Sequence, residues 1–389
     1  MKIAFFTNCY KPLINGVVSS IVSLKEAYER KGHQTYIFAP KVEGYQDQEE
    51  NVFRYHSINL TSKVKYPIAI PLSLRATKVI HEFKPDIVHI HHPFVLSLPA
   101  IMYGARLKIP KVLTIHTQYE RYAYYISPIP QVITNEAIRR MIINLAAKVD
   151  VITTPSLSMK NLISQYGVKK EVKVVPNAVN LDYFQNRDDQ QCRRLMQQLD
   201  LKEDDIVMLY VGRISFEKNV DKIIKALAII KAENVDNVKL VMVGEGTAMN
   251  QIRSLVNSLE LSKMTRFVGA VNNDMVRYYY QISDIFTFAS TSETFGIVII
   301  EAFASSLPIL AIKAPGVIDI VTDGVDGLLS EDDVTQFAER LKVLIKNKDL
   351  RNKLASGALN TAKHYSIDHI SDQMIHIYQD LIKNSKSNV

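Results

Sequence analysis

Cysteine is scarce: two in 389 residues, Cys9 and Cys192, far apart and without a metal-ligand spacing. That excludes a disulfide framework and suits a reducing compartment in which both thiols are structural. No uninterrupted apolar run approaches the roughly 20 residues of a spanning helix, so no transmembrane segment is expected. The residues from Met1 read as a strand and Lys11-Pro12 interrupts the apolar pattern, so no leader peptide is expected either. A cytoplasmic protein follows as the expectation. G-x-G-x-x-G is missing, which removes the common dinucleotide fingerprint. No Asp-x-Asp stands in a strand-end loop and no His/Cys cluster has ligand spacing, so no metal is expected. Asp204-Asp205 and Asp332-Asp333 read as solvated charge, and the chain has no internal sequence repeat.

A hydrophobic content of 47% and a charged content of 22% are globular values, and 389 residues are enough for two domains with their own cores. The net charge of +7 is unevenly divided: residues 1–178 carry 23 Lys and Arg against 12 Asp and Glu, and the remainder is mildly acidic. A basic half points to an anionic partner, lipid or nucleic acid, for that half alone. Interleaved aromatic platforms and a helix-turn-helix are both missing, so nucleic acid is not expected.

Residues 2–7 form a short apolar run, followed by a turn-rich loop at 8–16, a helical pattern to Lys31 and a strand at 35–39. This is the opening of a doubly wound parallel sheet. Strands follow at 87–90, 112–116, 149–153 and 172–175, separated by helical stretches. Residues 174–180 read as a hinge. A second α/β sheet then runs through 206–211, 239–243, 265–268, 285–289, 308–312 and a short strand near Leu328, with a last amphipathic helix at 367–382.

The chemistry concentrates after two of the second-half strands. Ser292-Glu293-Thr294-Phe295-Gly296-Ile297 follows the run 285–289, and an apolar helix continues from it to Ala304. Strand, short loop and helix start aim unpaired backbone amides at an anion, and Gly296 permits close approach. Glu301 stands eight positions after Glu293, roughly 12 Å along a helix. A phosphate flanked by carboxylates suits a ligand with hydroxyls on either side of a diphosphate, as in a nucleotide-sugar. The strand 206–211 ends in Gly212-Arg213-Ile214-Ser215-Phe216-Glu217-Lys218, whose cations can neutralise the same diphosphate. Gly16, in the loop after the first strand, can bring backbone amides near a phosphate, and Gly244-Glu245-Gly246 is a second, weaker candidate. His116 ends the strand at 112–115, where ligands bind in open α/β sheets. Residues 266–270 are a candidate base pocket.

Gly212-Arg213…Glu217-Lys218 followed by Glu293-x7-Glu301 resembles the retaining GT-B glycosyltransferases of family GT4, over nearly the whole chain. The first half is most similar to the diacylglycerol glucosyltransferases and phosphatidylinositol mannosyltransferases. The resemblance implies an α/β fold of two Rossmann-like parallel-sheet domains facing a cleft. Residues 1–178, with 366–389 crossing back, would form an acceptor domain, and 179–365 a donor domain. It implies a metal-independent hexosyltransferase that uses UDP-glucose and needs no cofactor. Its site residues would be His116, Arg213, Lys218 and Glu293 for catalysis, with Gly16, Gly246, Phe295, Gly296, Ile297 and Glu301 on the donor. His116 would meet the donor sugar or orient the acceptor hydroxyl. Arg213 and Lys218 would hold the departing diphosphate, Glu293 the sugar hydroxyls and Glu301 the ribose.

On the acceptor side, residues 117–125 resemble the H-T-x-Y-x-x-Y stretch of the lipid transferases, so Tyr119 and Tyr122 are expected at a water–lipid interface. Arg139 and Arg140 lie on an apolar helical pattern. Lys63, Lys65, Tyr66, Arg75, Lys78 and Lys84 add charge among Leu60, Ile68, Ile70, Leu72 and Leu74. Such a surface fits peripheral docking on an anionic membrane. A soluble or polysaccharide acceptor, a non-catalytic sugar-nucleotide binder and a sugar-nucleotide epimerase remain alternatives. Ala178 and Asn180 stand where the family usually has Gly and Asp, and Ser305-Ser306-Leu307-Pro308 lacks the usual Gly before Pro.

Overall fold

The computed structural model describes residues 1–13, 15–59, 67–121 and 131–387. The chain divides into two compact units, Met1–Ala178 with Ile367–Val389, and Val179–Ser366. In chain order the strands of the first are β1 (Lys2–Phe6), β2 (Gln34–Pro40), β3 (Val52–Tyr55), β4 (Ser57–Ile58), β5 (Ile68–Ala69), β6 (Ile87–Ile90), β7 (Lys111–Thr114), β8 (Val151–Thr154) and β9 (Val172–Val174). Seven of them form one parallel sheet in the order β3-β2-β1-β6-β7-β8-β9, and β4 pairs with β5 as a small antiparallel ribbon. The second unit has β10 (Ile206–Val211), β11 (Val238–Val243), β12 (Thr265–Gly269), β13 (Ile285–Phe288), β14 (Ile309–Ile312) and β15 (Gly327–Ser330). These run parallel in the order β12-β11-β10-β13-β14-β15.

Strands such as Ile-Val-Met-Leu-Tyr-Val of β10 are apolar on both faces because helices cover both sides of a parallel sheet. Each sheet therefore has two cores. In the first unit, Ile370, Met374 and Tyr378 of the helix Ile367–Ser387 join Ile3, Phe5, Ile21 and Tyr28 in one of them. Lys31, just past the helix Gly16–Arg30, also donates to Ser371 and to the carbonyl of Asp368. In both sheets the chain winds outward from a central strand and then restarts on its other side. The reversal falls between β1 and β6 in one sheet and between β10 and β13 in the other. Such a switch point, at the carboxyl ends of the strands, is where open α/β sheets hold ligands.

Three differences from the sequence reading have simple causes. β3 and the β4–β5 ribbon are extra; they are short or at the sheet edge, where the apolar pattern is weak. β7 ends at Thr114, so His116 lies in the following loop, although Ile115 N–H still donates to the Thr153 carbonyl. Asp205 and the 332–333 pair are not idle surface charge. Asp205 is buried, accepting from Lys202 N–H and facing Lys239, while Asp333 caps the helix Val334–Lys346.

The departures from the family pattern are accommodated locally. Ala178 is not among the residues with positive φ, and Asn180 caps the helix Leu181–Gln185 by accepting from Tyr183 N–H. Ser306, by contrast, takes the left-handed turn at φ 57°. Its amide donates to the Phe303 carbonyl and that of Leu307 to Ala302, which closes the helix Ile297–Ala304 in a Schellman motif.

Candidate active site

The second unit gathers the loops after β10 and β13. Tyr210, near the end of β10, donates its hydroxyl to the Arg213 carbonyl and fixes the first turn of the 212–219 loop. Asn219, at φ 50°, reaches across with its side-chain amide to the Ala289 carbonyl and the Thr291 hydroxyl. The two loops are thereby tied together, and Lys218 forms an ion pair with Glu293, 75 positions away. Both side chains are less than a fifth exposed, so the pair is only weakly screened. Arg213 is exposed and has no ion-pair partner among the described residues. Gly316, after β14, carries no motif in the sequence that marks it. It sits at φ 80°, and a Cβ there would lie 2.5 Å from the Glu293 carbonyl oxygen. Only glycine lets the Ala314-Pro315-Gly316 turn support the Glu293 backbone this closely.

The helix Ile297–Ala304 begins at Gly296 without a side-chain cap, which leaves its first amides to other acceptors. Phe295, just before it, is buried and packs edge-on to Tyr365 at 5.7 Å. Glu301, one helical turn inside, accepts a 2.8 Å hydrogen bond from Tyr280. Burial raises its carboxyl above the usual carboxylate range, and the Tyr280 hydroxyl partly opposes that. Gly246 serves packing: a Cβ would stand 2.2 Å from the Ile214 carbonyl oxygen, so glycine is required there by the neighbouring loop. Arg266 is corrected as a candidate for the base pocket. Its guanidinium clamps the Leu199 carbonyl at 2.6 Å and Asp200 at 3.1 Å.

In the first unit the switch point carries histidine. His91 and His92 follow β6, and His116 follows β7. His91 Nδ1 and His116 Nε2 are 3.0 Å apart and the rings lie nearly parallel. His92 contacts Thr7, Asn8 N–H and Cys9, and His89, inside β6, bridges Tyr378 and Thr114. Burial pushes His89 down to about 3 and His92 to about 4. Burial, with repulsion from neighbouring rings, lowers His91 and His116 well below the usual imidazole range. The cluster is thus neutral near pH 7. Of these rings the family pattern marks His116 alone; the signal for the others is the run His89-Ile90-His91-His92 at a strand end. Gly16 opens the helix Gly16–Arg30, where the Asn15 side chain already accepts from Val18 N–H.

Tyr119 is a correction. It is buried, with its ring edge-on to Phe94 at 4.7 Å, because the turn after β7 folds it into the core and not toward a surface. Tyr122, with Leu60, Lys63, Lys65 and Tyr66, lies outside the described residues. Arg139 and Arg140 are exposed, and both face Glu136 on their own helix, Gln131–Ala146. Val132 and Ile133 at the start of that helix are exposed, as are Leu72 and Leu74. No described helix is long and apolar enough to cross a membrane.

Two glycosyltransferase family models match the chain: "Glycosyltransferase Family 4" over residues 14–183 and "Glycosyl transferases group 1" over residues 192–361. The chain is 30% identical to the alpha-monoglucosyldiacylglycerol synthase of Streptococcus pneumoniae, over 92% of this chain and 82% of that protein. The chain is a family 4 glycosyltransferase. A second alpha-monoglucosyldiacylglycerol synthase, from Acholeplasma laidlawii, is 29% identical over 99% of both chains. Among solved structures, Anabaena HepE in complex with UDP superposes with a TM-score of 0.80 at 20% identity, covering 98% of this chain and 100% of that one. That likeness is one of fold, and it identifies the two parallel-sheet units of this glycosyltransferase as the GT-B architecture.

Proposed function

We propose that the enzyme transfers glucose from UDP-glucose to the hydroxyl of a membrane lipid such as diacylglycerol, with retention at the anomeric carbon. The observation that supports the donor half is the convergence of Lys218, Glu293 and the uncapped amides after Gly296 at one switch point. Arg213 and Lys218 neutralise the diphosphate, and the amides of Phe295, Gly296 and Ile297 bind its oxygens. Glu293 accepts from sugar hydroxyls and Glu301 from the ribose. Charge grows on the leaving group in the transition state, so preplaced cations are worth a few kcal/mol without a divalent ion or other cofactor. His116 lies against the reacting sugar. The leaving phosphate assists attack from the front face, and no carboxylate acts as a covalent nucleophile; isolation of a glycosyl-enzyme adduct would overturn this.

The lipid acceptor is supported by the names of the two similar synthases and by the exposed Leu72, Leu74, Val132 and Ile133 with Arg139 and Arg140. Cations near an anionic surface contribute about 1 kcal/mol each, so the first unit docks peripherally on the cytoplasmic leaflet. Purified enzyme with UDP-glucose and vesicles containing diacylglycerol and anionic lipid tests both halves. Glucolipid should form, with α configuration, and should disappear in Lys218→Ala and Glu293→Ala variants. The enzyme should also float with anionic vesicles. Absence of flotation would move the acceptor to a soluble sugar. Binding of UDP without transfer to any acceptor would leave a non-catalytic nucleotide-sugar binder.

A further inference from the structure

The histidine cluster contains a group with no role in the scheme above. His91 is fully buried, its backbone amide is held by the Phe6 carbonyl at 2.9 Å, and its ring lies edge-on to Phe5 at 5.0 Å. His89 stacks on its face at 4.0 Å. The ring therefore has one orientation. Nδ1 meets His116 Nε2 at 3.0 Å, while Nε2 has no hydrogen-bond partner among the described residues.

A neutral imidazole carries one N–H and one bare nitrogen, so the pair has two possible arrangements. If His116 Nε2–H donated to His91 Nδ1, the His91 proton would sit on Nε2, as a buried donor without an acceptor. If His91 Nδ1–H donates to His116 Nε2, the unpartnered His91 nitrogen is a lone pair instead. A buried N–H without a partner is the rarer and costlier defect. We propose that His91 is a positioning residue that fixes His116 as its Nδ1–H tautomer. His116 then carries its proton on Nδ1, and its other ring nitrogen is already occupied by His91. This rests on the reading that His116 touches the reacting sugar. It excludes His116 as the base that deprotonates the acceptor through Nε2.

The test uses the full-length enzyme labelled with 15N-histidine and long-range 1H–15N correlation at pH 7.5, with His116 assigned by its loss in His116→Asn. The expected spectrum shows protonated Nδ1 and bare Nε2 for both His91 and His116. A protonated Nε2 on His116 would overturn the proposal, whatever the activity. In the His91→Phe variant the His116 signals should move toward the Nε2–H form, and kcat for glucosyl transfer should fall at least about tenfold at unchanged donor KM. His91→Asn, which can place an amide N–H near the old Nδ1, should recover most of that loss; equal loss in both variants would overturn the positioning role. If His116→Ala leaves kcat unchanged, the reading of His116 at the reacting sugar fails, while the tautomer spectrum still decides which nitrogen carries the proton. Should His91→Phe not fold, the wild-type spectrum and the kcat of His91→Asn still support or overturn the proposal.

Discussion

The two units repeat one construction, a parallel sheet whose strand order reverses at its centre, yet they equip the reversal with opposite chemistry. Between β10 and β13 stand formal charges, Lys218 paired with Glu293, and a helix end without a side-chain cap. Beside β1 and β6, and after β7, stand imidazoles that burial keeps neutral. Charge is what a departing diphosphate needs. Neutral rings can orient a sugar hydroxyl without placing a net charge next to it. Under the proposed function one scaffold serves two tasks, because the loops, and not the sheet, carry the differing side chains.

The contrast breaks most directly at Lys218. Lys218→Ala removes a cation from the developing charge, and kcat for transfer from UDP-glucose should drop roughly a hundred- to a thousandfold. His116→Ala removes a neutral hydrogen-bonding group and should cost roughly tenfold. Similar losses for the two would erase the distinction between the sites. Gly246→Ala tests how tightly the charged site is built: its Cβ would press on the Ile214 carbonyl at 2.2 Å. Urea unfolding should show a loss of about 3 kcal/mol, whereas an unchanged midpoint would mean that the loop yields.

Acid should separate the units next. His89, His91, His92 and His116 bind protons less readily when folded than the usual imidazole value of 6.5. Below that pH the unfolded chain takes up protons first, and stability falls until the buried rings themselves protonate, near 4 for His92 and 3 for His89. Each ring contributes about 1.4 kcal/mol per pH unit in that window. Glu301, Asp284 and Asp326 have the opposite sign, since burial raises them. Their folded forms hold protons more readily, so mild acid stabilises the second unit slightly. Amide exchange at pH 7 and pH 5, corrected for intrinsic rates, should show protection falling in β1, β6 and β7 but not in β10 and β13. A uniform change would remove the contrast.

The smallest effect is expected at Ser306. Ser306→Gly relieves a left-handed residue at the end of the helix Ile297–Ala304 and should stabilise the second unit by about 1 kcal/mol. Amide exchange should slow there and nowhere in the first unit.

The sheets were legible in the residues because strands buried on both faces are apolar throughout, as Ile206–Val211 and Ile285–Phe288 show. The edge strand β3 was not, since its four residues include Arg54 and only Tyr55 is buried. The order of Gly212-Arg213…Lys218 and Glu293-x7-Glu301 announced a family, because Arg213, Lys218 and Glu293 follow strand ends at fixed intervals along the chain. Long-range packing decided the rest. Nothing local to Tyr119 reveals that Phe94 buries it, nor to Gly246 that Ile214 crowds it, nor to Gly316 that it supports Glu293. The sequence by itself determined two α/β units and which loops carry the charged residues, through hydrophobic period and spacing. Only the tertiary structure brought His91 against His116, because strand pairing joins residues 25 positions apart into neighbours. A side chain's proton affinity and tautomer depend on what surrounds it in space, and a linear chain does not contain that information in readable form.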